Sequence, residues 1–83
     1  MMTLKKNLFV KYRTLNESGF LIKNNQAYQI DEVGILIWEN IDGINNEEDI
    51  INIVSAKFNK EKKDIESDVK EFIKELYKNK LIE

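Results

Sequence analysis

The hydrophobic pattern of this chain changes its period once, at Asp31, and this change constrains the fold more than any other feature of the sequence. Before Asp31, β-branched and aromatic residues occur in short runs that are broken by turn residues, a pattern typical of strands. After Asp31, apolar residues recur at three- and four-residue steps, as on one face of an α-helix. The sequence therefore predicts an α+β domain in which strands precede helices.

Three short strands are predicted in the first part of the chain. Residues 9–15 form the first strand, and the turn cluster at 16–19 ends it. Residues 20–23 and Gln26–Ile30 follow, separated by an Asn-Asn pair that tolerates the positive φ of a tight hairpin turn. Because this antiparallel meander is short and its last strand is partly polar, we expect one edge to retain unpaired backbone N–H and C=O groups.

Three helices are predicted after Asp31, each with its own start signal. Asp31 caps the first helix, which the Asp-Gly pair at 42–43 ends. Asn45 or Asn46 caps the second helix, and residues 60–79 form the third and longest one. The apolar residues at helical spacing on these helices are Val33, Ile37, Trp38, Ile41, Ile50, Ile51, Val54, Phe58, Ile65, Val69, Phe72, Ile73, Leu76 and Tyr77.

The size of the chain predicts a single domain, 1–83, with a core over about residues 9–82. A domain of 83 residues buries only about 60 to 65% of the surface of its unfolded chain, so we expect no deep active-site cavity. No apolar run approaches the roughly 18 residues of a membrane span, and no cleavable signal follows the N-terminal lysines. We therefore expect a cytoplasmic protein with no membrane partner.

The composition removes most catalytic chemistry. The chain has no cysteine and no histidine, which excludes disulfides, thiolate nucleophiles, Ser-His couples and the usual zinc ligand sets. Its 15 acidic residues lie mostly beside lysines at helical spacings, where a solvated face explains them. We expect no enzyme activity, no cofactor and no metal. The net charge of −2 also lacks the basic excess typical of nucleic-acid binding.

The most informative motif lies at the junction of strands and helices and reads Ile37-Trp38-Glu39-Asn40-Ile41-Asp42-Gly43, with Ile30-Asp31 and Gly34 before it. By itself it is a capped helix with a core face centred on Trp38 and an abrupt exit. The arrangement of these residues over roughly residues 9–82 resembles that of the PqqD-like family, the pyrroloquinoline quinone biosynthesis protein D group. Domains of this family are also called RiPP recognition elements. An asparagine stands where the family opens its second helix with Thr or Ser, and Lys80 stands at a family glycine. The matching positions are Ile30-Asp31, Gly34, Ile37-Trp38, Ile41-Asp42-Gly43, Asp68-Val69, Leu76, Leu81 and Ile82.

The resemblance implies a winged-helix-like fold, a three-stranded antiparallel sheet followed by three helices (βββααα). It also implies a stand-alone bacterial peptide chaperone of RiPP biosynthesis, which binds the leader region of a ribosomally made precursor peptide by strand addition. Such a domain delivers the peptide to a maturation enzyme, such as a radical SAM protein or a lasso-peptide protease. A single Leu, Ile or aromatic anchor is expected in the leader.

The slot between the third strand and the third helix is the expected binding site. On the strand, the backbone would form hydrogen bonds with the peptide. On the helix, a stripe of side chains would steer acidic leader residues. The same stripe has a structural explanation, in which its apolar members belong to the core and its lysines to a solvated face. The predicted peptide-binding residues are Gln26, Ala27, Tyr28, Gln29, Lys70, Ile73, Lys74 and Tyr77.

Two other functions remain open from the residues alone. A winged helix can bind DNA, and the third helix carries several lysines. Against this, Arg13 is the only arginine, although arginine makes the commonest direct contact to guanine, and the lysines alternate with acidic residues. The second alternative is a protein–protein adaptor that binds a folded partner through the edge of the meander.

Overall fold

A computed structural model describes residues 3–83 of the chain. It confirms the predicted order of three antiparallel strands followed by three helices, with the sheet order β1-β2-β3. The elements are β1 (Lys11–Leu15), β2 (Ser18–Lys23), β3 (Gln26–Ile30), α1 (Glu32–Glu39), α2 (Glu47–Phe58) and α3 (Lys62–Lys78).

Asparagines in the left-handed backbone conformation close both hairpins. Asn24 and Asn25 have φ values of 51° and 65°, as the two central residues of the turn between β2 and β3, so the predicted tight turn is confirmed. The turn between β1 and β2 contains only Asn16 and Glu17, because Ser18 and Gly19 pair with β1 as part of β2. The four-residue turn predicted there is therefore wrong. The first strand also starts later than predicted, at Lys11.

The core lies between the inner face of the sheet and the three helices. Leu21, the central inner residue of β2, is fully buried, and its neighbours Gly19 and Ile30 lie on the same face. A Cβ atom on Gly19 would lie 2.9 Å from Ile35, so only glycine allows α1 to approach the sheet this closely. The buried core side chains are Leu4, Leu21, Ile30, Ile37, Trp38, Ile41, Ile50, Ile51, Val54, Val69, Ile73, Leu76, Leu81 and Ile82.

The helix ends follow local capping chemistry. The carboxylate of Asp31 accepts a hydrogen bond from the Gly34 N–H at 2.9 Å, which confirms Asp31 as the cap of α1. Between the two asparagines left open by the sequence, Asn46 caps α2, through a reciprocal pair of hydrogen bonds with Asp49. Helix α1 ends at Glu39, before the Asp-Gly pair that was expected to stop it.

The end of α3 shows why a glycine suits the position that Lys80 occupies. Lys80 has a φ of 59°, a conformation that glycine adopts at lower cost. The Lys80 N–H donates to the Tyr77 carbonyl, and the Leu81 N–H donates to the Leu76 carbonyl. These two bonds form a Schellman motif, which turns the chain back so that Leu81 and Ile82 enter the core.

The segment before the first strand also belongs to the core, which extends beyond the predicted range of 9–82. Leu4 is only 4% exposed, and Lys6 pairs with Ile82 in an isolated antiparallel bridge. Phe9, by contrast, is 80% exposed in a turn, because the chain has to leave the C-terminal segment and reach β1 there. The two ends of the domain are therefore held together by backbone hydrogen bonds.

Candidate functional site

The free edge of β3 is the first component of the site. In a hairpin closed by two residues, the flanking pair Lys23 and Gln26 is hydrogen-bonded, and hydrogen-bonded and non-hydrogen-bonded pairs alternate from there. Ala27 and Gln29 occupy the non-hydrogen-bonded positions, so their N–H and C=O groups point away from β2. No turn, loop or cap hydrogen bond within residues 3–83 uses these groups. The edge therefore offers two donors and two acceptors to an extended segment.

A groove between β3 and α3 is the second component. At its centre is an apolar depression of about 170 Å³, which is lined from both sides. Tyr28 and Ile30 contribute from β3, and Phe72 and Leu76 contribute from α3. The side chains of a strand added to β3 would point alternately into this depression and away from it. The complete lining of the central depression is Leu21, Tyr28, Gln29, Ile30, Phe72, Glu75, Leu76, Asn79 and Leu81.

The groove continues past both ends of the central depression. Towards the end of β3 it opens into a second depression, which shares Gln29, Ile30 and Phe72 with the central one. Towards the start of β3 it opens into a third depression, which shares Tyr28 and Asn79. Adjacent depressions share lining residues, so the three lie next to one another along β3.

Local contacts fix the walls of this groove. A Cβ atom on Gly34 would lie 3.1 Å from the Phe72 ring and 3.0 Å from Ile30, so the glycine lets the ring lie against the start of α1. The Tyr28 hydroxyl donates a hydrogen bond of 2.7 Å to the Gln26 side chain. The Gln29 amide donates to the Ser18 hydroxyl at 3.1 Å on the outer face of the sheet. These contacts orient the polar side chains while the backbone edge remains open.

The predicted strand residues lie along the groove, whereas the predicted helix residues do not line it. Tyr28 and Gln29 line the central depression, Gln26 lines the third one, and Ala27 presents its backbone at the edge. On the helix, Ile73 is 2% exposed and belongs to the core.

The other three predicted helix residues line none of the depressions of the groove. Tyr77, which the structural explanation of the stripe placed in the core, is 41% exposed. Lys70 and Lys74 are exposed as well. At about 100° per residue, these three side chains lie roughly half a turn away from Phe72. Their role in peptide contact stays a prediction.

The helix side of the groove consists of residues that the sequence interpretation did not select. Phe72, Glu75, Leu76 and Asn79 follow one another at three- and four-residue steps and face β3. Phe72 and Leu76 were recognised only as core residues. Polar residues lie on both sides of the apolar stripe of α3. The sequence pattern therefore does not predict which side faces β3.

Lys70 forms an ion pair outside the groove. Its ammonium group forms an ion pair of 2.9 Å with Glu66, one turn earlier on the same helix. The hydrogen bond from Lys70 lowers the pKa of the Glu66 carboxyl below its ordinary value, and the same bond raises the pKa of Lys70. The pair lies in a separate shallow depression with Lys63 and Ser67.

The described part of the chain contains neither a metal-ligand cluster nor a membrane-spanning helix. Within residues 3–83, no group of three or more His, Cys, Asp or Glu side chains is arranged to hold a metal ion. Over the same range, no helix is both long enough and apolar enough to cross a bilayer.

Comparison with known proteins identifies the family. The fold is similar to a solved structure described as "TbiB1 in Complex with the TbiA(beta) Leader Peptide", with a TM-score of 0.82 and 21% sequence identity over 95% of this chain and 94% of that chain. A search of curated proteins gave no significant match. The model of the family described as "Coenzyme PQQ synthesis protein D (PqqD)" matches residues 10–82. The resemblance inferred from the sequence is thus confirmed, and the chain belongs to the PqqD family.

Proposed function

We propose that this domain binds the leader region of a ribosomally synthesised precursor peptide as a fourth strand on the free edge of β3. The observation that carries the proposal is the outward-facing backbone of Ala27 and Gln29, which borders an apolar depression between β3 and α3. An extended peptide can gain backbone hydrogen bonds at such an edge while its alternate side chains fill a pocket. Membership of the PqqD family and the fold shared with a leader-peptide complex support the same function.

The energetics require an apolar anchor in the peptide. Four backbone hydrogen bonds contribute about 2 to 6 kcal/mol in total, at about 0.5 to 1.5 kcal/mol each. Ordering a flexible segment costs about 2 to 5 kcal/mol, which nearly cancels this gain. Burying one Leu, Ile or Phe side chain adds about 1.5 to 3 kcal/mol, so a Kd of about 1 μM requires this anchor together with further side-chain contacts along the groove. The central depression between Tyr28 and Phe72 is the place for that side chain.

In this proposal the domain acts as a carrier and has no catalytic step of its own. Its bound peptide is handed to a maturation enzyme, for which a radical SAM protein or a lasso-peptide protease is a candidate. Strand addition suits this role, because every second side chain of the bound segment points away from the groove. The segments of the precursor outside the groove remain free for the enzyme.

The charge distribution on α3 disfavours DNA binding. Three of its lysines pair with glutamates, which reduces the positive charge available for phosphate contacts. The pairs are Lys62–Glu48, Lys63–Glu61 and Lys70–Glu66.

Peptide binding can be tested directly. The N-terminal halves of small proteins encoded beside the gene are labelled with a fluorophore, and anisotropy is measured during titration with the domain. We expect saturable binding with a Kd of about 1 μM or tighter, equivalent to about −8 kcal/mol, and no response from a labelled DNA duplex. Salt-sensitive binding to the duplex without peptide binding would replace the proposal with a DNA-binding regulator. Silence from both probes would favour the adaptor, whose partner a pull-down would then identify.

A further inference from the structure

The two ends of the groove carry opposite charge. The depression at the end of β3 is lined by three carboxylates, one from the first hairpin turn and two from the start of α1. The depression at the start of β3 is lined by three lysines, one from the end of β2 and two from the end of α3. The acidic residues are Glu17, Asp31 and Glu32, and the basic residues are Lys23, Lys78 and Lys80.

These charges are available to a ligand. The ion pairs found within residues 3–83 involve none of the six side chains. Of the six, Asp31 has a partner of another kind, because its carboxylate caps α1. The start of α1 adds a partial positive charge of about half an elementary charge, which is smaller than the three carboxylates beside it. Glu75 lies in the central depression, between the two ends, and does not alter their difference.

The direction of the bound peptide follows from the sheet. All pairs in the sheet are antiparallel, and antiparallel pairing is slightly more stable per residue than parallel pairing. A fourth strand beside β3 is therefore expected to run from the Ile30 end towards the Gln26 end. Its N-terminal part then meets the carboxylates, and its C-terminal part meets the lysines.

We propose that the groove selects its peptide by charge order: a basic residue precedes the apolar anchor, and an acidic residue follows it. This inference rests on the proposed function. The five residues of β3 span about 17 Å at about 3.4 Å per residue, so each charge lies about two or three residues from the anchor. Charges at the rim of an interface contribute mainly to specificity and register.

A display library of short random peptides tests the proposal whichever precursor the domain serves. The folded domain is immobilised and the library is selected at low salt and again at high salt. We expect the peptides enriched at low salt to place Lys or Arg before an aliphatic or aromatic anchor and Asp or Glu after it. At the rim of an interface, we expect this order to bind about three- to tenfold more tightly than the exchanged order, and salt to reduce the difference.

Two matched charge variants sharpen the test. The double substitution Lys23→Glu with Lys78→Glu makes both ends of the groove acidic, so the requirement for an acidic residue after the anchor should disappear. The control Lys57→Glu with Lys63→Glu makes the same change of net charge away from the groove, and the selected order should persist.

Each other outcome overturns a defined part of the inference. Enriched peptides with an apolar anchor but random charge order, or with the opposite order, would refute charge selection and leave peptide binding intact. The absence of any enrichment over a bare support would refute the proposed function and the charge order together.

Discussion

Proline at Ala27 should abolish most peptide binding while the sheet remains folded. The Ala27 N–H points away from β2, so its loss removes no hydrogen bond from the hairpin. Proline is tolerated on edge strands when its missing N–H faces outward. In the complex, however, the same N–H would donate to the bound peptide, and the proline ring would occupy the position of the incoming strand.

The magnitude follows from the groups that lose their partners. The lost backbone hydrogen bond is worth about 0.5 to 1.5 kcal/mol, and an unpaired peptide carbonyl in the groove costs about 1 to 3 kcal/mol. Because these terms overlap, we expect a loss of about 1.5 to 3 kcal/mol. The Kd should therefore rise by a factor of about 10 to 150.

Thr14 supplies a matched control on the opposite edge of the sheet. It occupies the equivalent outward-facing position on β1, in a non-hydrogen-bonded pair with Gly19. Thr14→Pro imposes the same backbone restriction but lies on the edge remote from α3. Fluorescence anisotropy with one labelled peptide should separate the two variants, while circular dichroism confirms that both are folded. Equal affinities of Ala27→Pro and wild type, or equal losses in both variants, would refute binding at the β3 edge.

Three further predictions concern stability, measured by urea unfolding. Lys80→Gly should stabilise the domain by about 0.5 to 1 kcal/mol, because Lys80 has a positive φ; a loss would show that its side chain contributes more than its backbone costs. Asn46→Ala should cost about 0.5 to 2 kcal/mol by removing the cap of α2, whereas Asn52→Ala on an exposed face should cost nothing; equal effects would contradict the capping role. Ile51→Ala should cost about 2 to 5 kcal/mol because its side chain is fully buried, and Leu8→Ala, at 91% exposure, should change stability by less than about 0.5 kcal/mol; a small effect at Ile51 would contradict its place in the core.

The sequence predicted turns and helix caps correctly where one residue type has a clear local preference. The Asn24-Asn25 turn and the Asp31 cap followed from side-chain and backbone preferences that act within a few residues. Element boundaries were less exact. Phe9 has the composition of a strand residue, but the connection from the C-terminal segment to β1 places it in an exposed turn.

The contacts between distant parts of the chain were outside the reach of these local patterns. Leu4 enters the core because Lys6 pairs with Ile82, and nothing near Leu4 in the sequence indicates that pairing. Lys80 stands at a family glycine, yet it adopts the required left-handed conformation, because the return of Leu81 and Ile82 to the core holds it there.

The sequence by itself determined the order of elements and the family, and it indicated an open edge at β3. Periodicity and capping are local, and the polar residues of β3 already indicated an unfinished sheet. Only the tertiary structure decided which flank of α3 faces that edge. The apolar stripe of α3 has polar residues on both sides, so Lys70, Lys74 and Tyr77 were as plausible as Glu75 and Asn79. Packing α3 through Val69, Ile73 and Leu76 turned Glu75 and Asn79 towards β3, and so fixed the helix wall of the groove.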